Sequence, residues 1–160
     1  MINLRPATRD DLPLILALIR ELAEYEKLAH EVVATEAQLE ESLFSERPYA
    51  EVVIAEWHNE PAGFALFFHN FSTFLGRRGL YLEDLFVRPA LRGKGIGKAL
   101  LAHLARIAVE RGCGRFEWAV LDWNEPARSF YESLGAKAVS EWDIFRVTGE
   151  ALQALAARND

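Results

Sequence analysis

One cysteine and one methionine occur in 160 residues. A single cysteine, Cys113, excludes an intrachain disulfide. It has no neighbour of metal-ligand type and reads as a small packing residue. The four histidines, His30, His58, His69 and His103, lack both H-x-H and H-E-x-x-H spacing, so no metal is expected. No apolar run reaches membrane-spanning length, and the first residues lack a leader pattern; no membrane partner and a cytoplasmic location are the expectations. Positive charge is in deficit, with 18 Lys and Arg against 24 Asp and Glu and a net charge of −6. That balance argues against nucleic acid, whose phosphates attract basic surfaces. Trp57, Trp118, Trp123 and Trp142 therefore read as core or interface rather than as a base-stacking platform. Repeats and low-complexity linkers are absent too. What is present, 51% hydrophobic and 26% charged residues, describes one globular domain over residues 1–160 with a single core.

The patterning predicts a first strand over residues 2–7 and a helix started by Thr8 or Asp10, with Pro13 in its first turn. Leu12, Ile15, Leu16, Ile19, Leu22 and Ala23 mark its apolar face as far as about Lys27. Thr35 and Gln38 form a capping-box pattern ahead of a second helix. Strands are expected over residues 50–57 and 62–71, joined by a turn at His58-Asn59-Glu60-Pro61, and over 81–87. A helix from Ile96 to about Arg111, a strand over 116–121 and a short helix over 125–134 follow. Two further strands are expected at 136–140 and 142–147, before a last helix capped by Thr148. Consecutive strands in the middle with βα units after them imply an α/β (α+β) fold. Its sheet is mixed and mostly antiparallel, with a parallel pair beside the glycine-rich loop.

The stretch that organises the chain is Glu83-Asp84-Leu85-Phe86-Val87-Arg88-Pro89 followed by Arg92-Gly93-Lys94-Gly95-Ile96-Gly97-Lys98. Pro89 stops the strand because it lacks the ladder's N–H. Gly93, Gly95 and Gly97 allow close backbone approach by a ligand, and the loop ends at a helix N-terminus, where free amides favour an anion. Arg92, Lys94 and Lys98 add positive charge, so the loop reads as a diphosphate cradle. It is not a P-loop: Arg92 holds the required earlier glycine position, and Ala99 stands where Ser or Thr is needed. Nor is it G-x-G-x-x-G, because Lys98 and Leu100 occupy the third-glycine positions.

What fits is R-x-x-G-x-G on Arg92, Gly95 and Gly97 after a strand, which resembles the acetyl-CoA loop of the GNAT-superfamily N-acetyltransferases. The second half of that pattern is a helix reading N-x-x-A-x-x-F-Y-x-x-x-G-A from Asn124 to Ala136. Arg5-Pro6-Ala7-Thr8, Glu21-Leu22-Ala23-Glu24-Tyr25-Glu26, Tyr81-Leu82-Glu83-Asp84 and Trp123-Asn124-Glu125-Pro126 narrow the likeness to the diamine N-acetyltransferases, the spermidine/spermine and thialysine enzymes. The resemblance covers almost the whole chain.

It implies acetyl-CoA as co-substrate and a small cationic amine as acceptor. By position, Leu85, Phe86 and Val87 would offer backbone groups to the pantetheine arm. Arg92, Gly93, Lys94, Gly95, Ile96, Gly97 and Lys98 would hold the pyrophosphate, and Asn124, Pro126 and Tyr131 would contact the cofactor near that arm. Tyr131 would be the general acid, and Tyr25, Glu26 and Glu83 would line the amine site. Phe74 stands near where polyamine enzymes carry a tryptophan, and Lys27, Leu28 and His30 interrupt the acidic stretch; both set the chain apart from enzymes of long polyamines. A homodimer is implied as well, with Trp142, Ile144 and Phe145 of the late strands at its interface.

Glu83 and Asp84, as strand neighbours, should face opposite sides unless a bulge intervenes. The resemblance favours Glu83 as the carboxylate that holds the ammonium and passes on its proton. Two other readings stay open: a non-catalytic acyl-CoA sensor, and an acetyltransferase of protein lysines or N-termini.

Overall fold

The structure, a computed structural model, describes residues 1–159 and forms two compact units, residues 1–121 and the remainder from Asp122. In the first unit β1 (Ile2–Pro6), β2 (Glu51–Trp57), β3 (Glu60–Ser72), β4 (Arg77–Val87) and β5 (Phe116–Trp118) make one sheet in sequence order. The first four are antiparallel neighbours, and β5 lies parallel to β4. A parallel neighbour needs a crossover, which α3 (Ile96–Glu110) supplies.

The turn between β2 and β3 is tighter than the sequence suggests. His58 and Asn59 both have positive φ, 49° and 67°, as a two-residue type I′ loop requires. The ladder therefore reaches the turn, and Pro61 lies inside β3 beside a bulge, where a missing N–H is tolerated. β4 also begins earlier than the expected position 81. Gly79, which reads as a loop glycine, lies inside the strand, where a Cβ would crowd the Asn70 side chain on β3.

α1 (Leu12–Tyr25) and α2 (Glu36–Phe44) cover one sheet face. Their apolar stripe, Leu12, Ile15, Leu16, Leu18, Leu22, Leu39 and Leu43, packs with Val52, Ile54, Phe64 and Phe86. α3 packs against β2, β3 and β4 and buries Ile96, Leu100, Leu101, Leu104 and Ala108. Side chains fix the start of α2 and the turn that precedes α1. Thr35 Oγ1 accepts from the Gln38 N–H at 3.2 Å while Gln38 Oε1 accepts from the Thr35 N–H at 3.0 Å, the capping box read from the sequence. Before α1, buried Asp11 accepts two Arg5 N–H groups, at 2.7 and 2.8 Å, and the Thr8 N–H at 2.8 Å.

The second unit holds α4 (Glu125–Ser133) and α5 (Gly149–Ala156). Thr148 stands at the N-cap of α5, as expected. The two late strands at 136–140 and 142–147 do not form: no residue there joins a ladder. A strand exists only through its neighbour, and among the described residues of this unit there is no strand to pair with. Val139, Trp142, Ile144 and Phe145 stay exposed, Phe145 at 95%. β5 likewise ends at Trp118, short of the expected Leu121.

Arg5 hydrogen bonds hold the Asp11 carboxyl below the usual carboxylate range, against the opposing effect of burial. Its contribution is complete above the unfolded value and is lost as pH falls through the folded one. Asp11→Asn should therefore lower unfolding free energy at pH 7 by about 2 kcal/mol. In urea titrations the gap from wild type should narrow below about pH 4.

Candidate active site

The cradle grows out of the end of β4. Arg88 N–H donates to the Ala62 carbonyl at 2.8 Å, Pro89–Leu91 makes one 3-10 turn, and the chain then passes through Arg92 in extended geometry. Gly93 and Gly95 take left-handed φ of 80° and 85°, so a side chain at either would strain the backbone. No heavy atom lies within 4 Å of where a Cβ would stand at either position. The first helical bond of α3 runs from the Ala99 N–H to the Gly95 carbonyl at 3.0 Å. The amides of Ile96, Gly97 and Lys98 thus precede the ladder, at the positive end of the helix dipole. Arg92, Lys94 and Lys98 are exposed around them. These features fit a linked pair of phosphates.

β4 pairs with β5 only from Leu80 to Leu82. From Glu83 to Val87 its second edge has no strand neighbour among the described residues, while the first edge stays laddered to β3. Main-chain groups of Leu85, Phe86 and Val87 lie on this stretch. An edge of this kind can pair with an extended amide-bearing ligand as if with another strand.

The β3–β4 register slips where it matters. Leu66 opposes Asp84 and Phe67 opposes Leu82, which leaves Glu83 as the extra residue of a bulge. A bulge breaks the simple alternation of side chains, so the opposite-face rule does not govern Glu83 and Asp84. The charges of Glu83 and of Glu26, the residue after α1, both act on Asp84. Burial raises the half-buried Asp84 carboxyl to about 7, helped by the charges of Glu83 and Glu26. Glu26 is raised as well, by burial first and by Glu83 second. Mutually repelling carboxylates of this kind favour an incoming ammonium. Sequence reasoning set Asp84 aside in favour of Glu83; the signal was the adjacent acidic pair, but the bulge that reunites it has no sequence mark. Among the described residues no group of three or more His, Cys, Asp and Glu is disposed to hold a metal ion.

Tyr25 and Glu26 belong to the same turn, and the structure brings both to this region. Tyr25 lies under the Arg92 guanidinium, 4.6 Å from carbon to ring centroid, and Arg92 Nε donates to the Val87 carbonyl at 2.9 Å. Lys94 Nζ lies 5.2 Å from the Trp57 ring centroid. In the second unit, buried Asn124 caps α4, its Oδ1 accepting from the Ala127 N–H at 3.4 Å. Pro126 occupies the first turn, and Tyr131 stands on the same helix with its ring centroid 5.7 Å from that of Phe130.

The model of the acetyltransferase (GNAT) family matches residues 16–136. The thialysine N-epsilon-acetyltransferase of Bos taurus is 39% identical over 98% of this chain and 98% of its own length. The L-ornithine N5-acetyltransferase of Arabidopsis thaliana is 37% identical over 96% of this chain and 87% of its own. Among solved structures, an integron cassette protein from the mobile metagenome of V. cholerae superposes with a TM-score of 0.82 at 31% identity, covering 98% of each chain.

The raised Asp84 carboxyl has two measurable consequences. A cation bound beside it favours the ionised form, so binding of an amine near pH 7 should release protons, detected by calorimetry in buffers of different ionisation enthalpy. Because the folded value exceeds the unfolded one, ionising Asp84 destabilises the fold increasingly as pH rises from about 4 to about 7. Asp84→Asn should abolish the proton release and be more stable than wild type at pH 8, with the gap closing toward pH 4.

Proposed function

The chain belongs to the acetyltransferase (GNAT) family, and on that premise we propose that it moves the acetyl group of acetyl-CoA to a primary amine of a small cationic acceptor, a diamine or a lysine-like amine such as thialysine or ornithine. The observation that carries the choice of acceptor is the Glu26, Glu83 and Asp84 carboxylate group. A protein that only bound acyl-CoA would gain nothing from concentrating three acids whose mutual repulsion is costly. The names of the thialysine and ornithine relatives support the same acceptor class.

Acetyl-CoA supplies an acyl group activated as a thioester. The amides of residues 93–98 and the side chains of Arg92, Lys94 and Lys98 hold its diphosphate. The open edge of β4 at Leu85, Phe86 and Val87 aligns the pantetheine arm and polarises the acyl carbonyl with a main-chain N–H. Asn124 and Pro126 contact the same arm, a role that rests on the N-x-x-A-x-x-F-Y pattern.

The acceptor arrives as an ammonium with a pKa of about 10.4 and must lose a proton before its nitrogen can attack. Glu83 holds that cation and takes the proton at a carboxylate oxygen through water, with Glu26, Asp84 and Tyr25 lining the amine site. The new N–C bond forms as the C–S bond breaks, and the Tyr131 hydroxyl gives its proton to the departing sulfur. No nucleophilic side chain is required, in keeping with the position of Cys113 just beyond the far end of α3.

We further propose that the two units make one acetyltransferase domain and that the protein is a cytoplasmic homodimer. The exposed apolar run Val139, Trp142, Ile144 and Phe145, patterned as a strand but lacking a ladder, supports cover by a second copy. No helix among the described residues is long and apolar enough to cross a membrane.

The test is turnover of the purified protein with acetyl-CoA and a panel of thialysine, ornithine, diaminopropane, putrescine and spermidine, read by thiol release and product mass. The expected result is a mono-acetylated amine. Cofactor binding without product on any of these amines would overturn the proposal. Tyr131→Phe should lower kcat about a hundredfold, far more than it weakens CoA binding. Glu83→Gln should lower kcat and raise KM for the amine together.

A further inference from the structure

We propose that Tyr25 is a positioning residue for the cofactor loop, holding the Arg92 guanidinium in place by a stacking contact across from α1. This rests on the reading that residues 92–98 hold the CoA diphosphate. Position alone assigns Tyr25 to the amine site; its contacts assign it a second task.

The last two turns of α1 meet the start of the cradle at two matched points. Glu21 and Tyr25 are four residues apart and so share one helix face. Arg88 and Arg92, also four apart, are their partners. Arg88 Nε and Nη2 donate to the two Glu21 carboxylate oxygens at 3.1 and 3.0 Å, and Arg88 Nη1 donates to the Pro61 carbonyl at 3.2 Å. The Arg92 guanidinium carbon lies 4.6 Å from the Tyr25 ring centroid and 5.6 Å from that of Phe86. Its Nε is committed to the Val87 carbonyl at 2.9 Å, which leaves the two Nη groups as its remaining donors.

A guanidinium on an exposed loop ordinarily samples many rotamers, and ordering it costs rotamer entropy when an anion arrives. Here three contacts fix it beforehand: a carbonyl at Nε, the Tyr25 face and the Phe86 face. Arg92 leads directly into the glycines and the α3 amides, so its orientation is part of the cradle. Phe86 is buried in the core and cannot be altered cleanly. Tyr25 is 39% exposed, so truncating it should remove the stack without removing the fold. The end of α1 supports this arrangement: Leu28 N–H donates to the Ala23 carbonyl at 2.8 Å across Lys27, whose φ of 63° turns the chain away.

The test is direct binding of free CoA, by calorimetry, to wild type, Tyr25→Phe, Tyr25→Leu, Arg92→Met and the Tyr25→Leu/Arg92→Met double variant, with melting temperatures measured without ligand as the control for folding. Tyr25→Phe keeps the aromatic face and should bind as wild type. Tyr25→Leu should weaken CoA binding by about tenfold, the scale of a partly exposed cation–aromatic contact. In the Arg92→Met background the same change should have no further effect, because its partner is gone. Wild-type affinity in Tyr25→Leu, or losses that add independently in the double variant, would overturn the assignment. Failure of wild type itself to bind CoA would instead overturn the reading of the loop, and this inference with it.

Discussion

The structure of the site depends on β4 changing neighbours partway along its length. From Leu80 to Leu82 the strand is paired on both sides; beyond Leu82, β3 alone remains. At the same place the β3 register slips by one residue at Glu83. Loss of the β5 ladder exposes main-chain polar groups, which cost free energy if buried without partners and so suit an extended amide ligand. The slip breaks the alternation that would have put Glu83 and Asp84 on opposite faces. One local irregularity thus underlies both halves of the proposed site.

The segments beside this site use more polar chemistry than the core does. Arg88 reaches Glu21 and Pro61 from just past the end of β4, and Arg92 reaches Val87 and Tyr25 four residues later. Elsewhere in the unit Arg111 pairs with Glu51 through two bonds of 2.7 and 3.0 Å and donates to His69 Nε2 at 3.0 Å, tying the end of α3 to β2 and β3. At the acid group, burial together with the neighbouring acids raises the Glu26 and Asp84 carboxyls. A cation brought beside this group would relieve that repulsion.

Much of this was legible in the sequence because it rests on local chemistry. The capping box at Thr35, the left-handed glycines of the cradle, the start of α3 at Ile96 and the Asn124 cap with Pro126 in the first turn each follow from a residue's own stereochemistry or from a partner within one turn. The mixed sheet with its parallel pair followed from the order of elements. What escaped depends on distant neighbours. The bulge at Glu83 arises from how β3 meets β4, and no residue in either strand announces it. Gly79 looked like a loop glycine until its approach to Asn70 was known. The segment from 136 to 147 alternates as a strand does, but alternation describes a face and not the presence of an edge to join. Likeness puts Tyr25 beside the amine, whereas its stack with Arg92 joins α1 to a loop distant in sequence and has no sequence mark.

The central claim is that the unpaired edge of β4 receives the coenzyme. Amide hydrogen exchange across residues 83–87, with and without CoA, tests it most directly. The account predicts strong slowing of exchange in this stretch and in the first turn of α3 when CoA is bound. Bound CoA that slows exchange elsewhere while leaving residues 83–87 unchanged would contradict it.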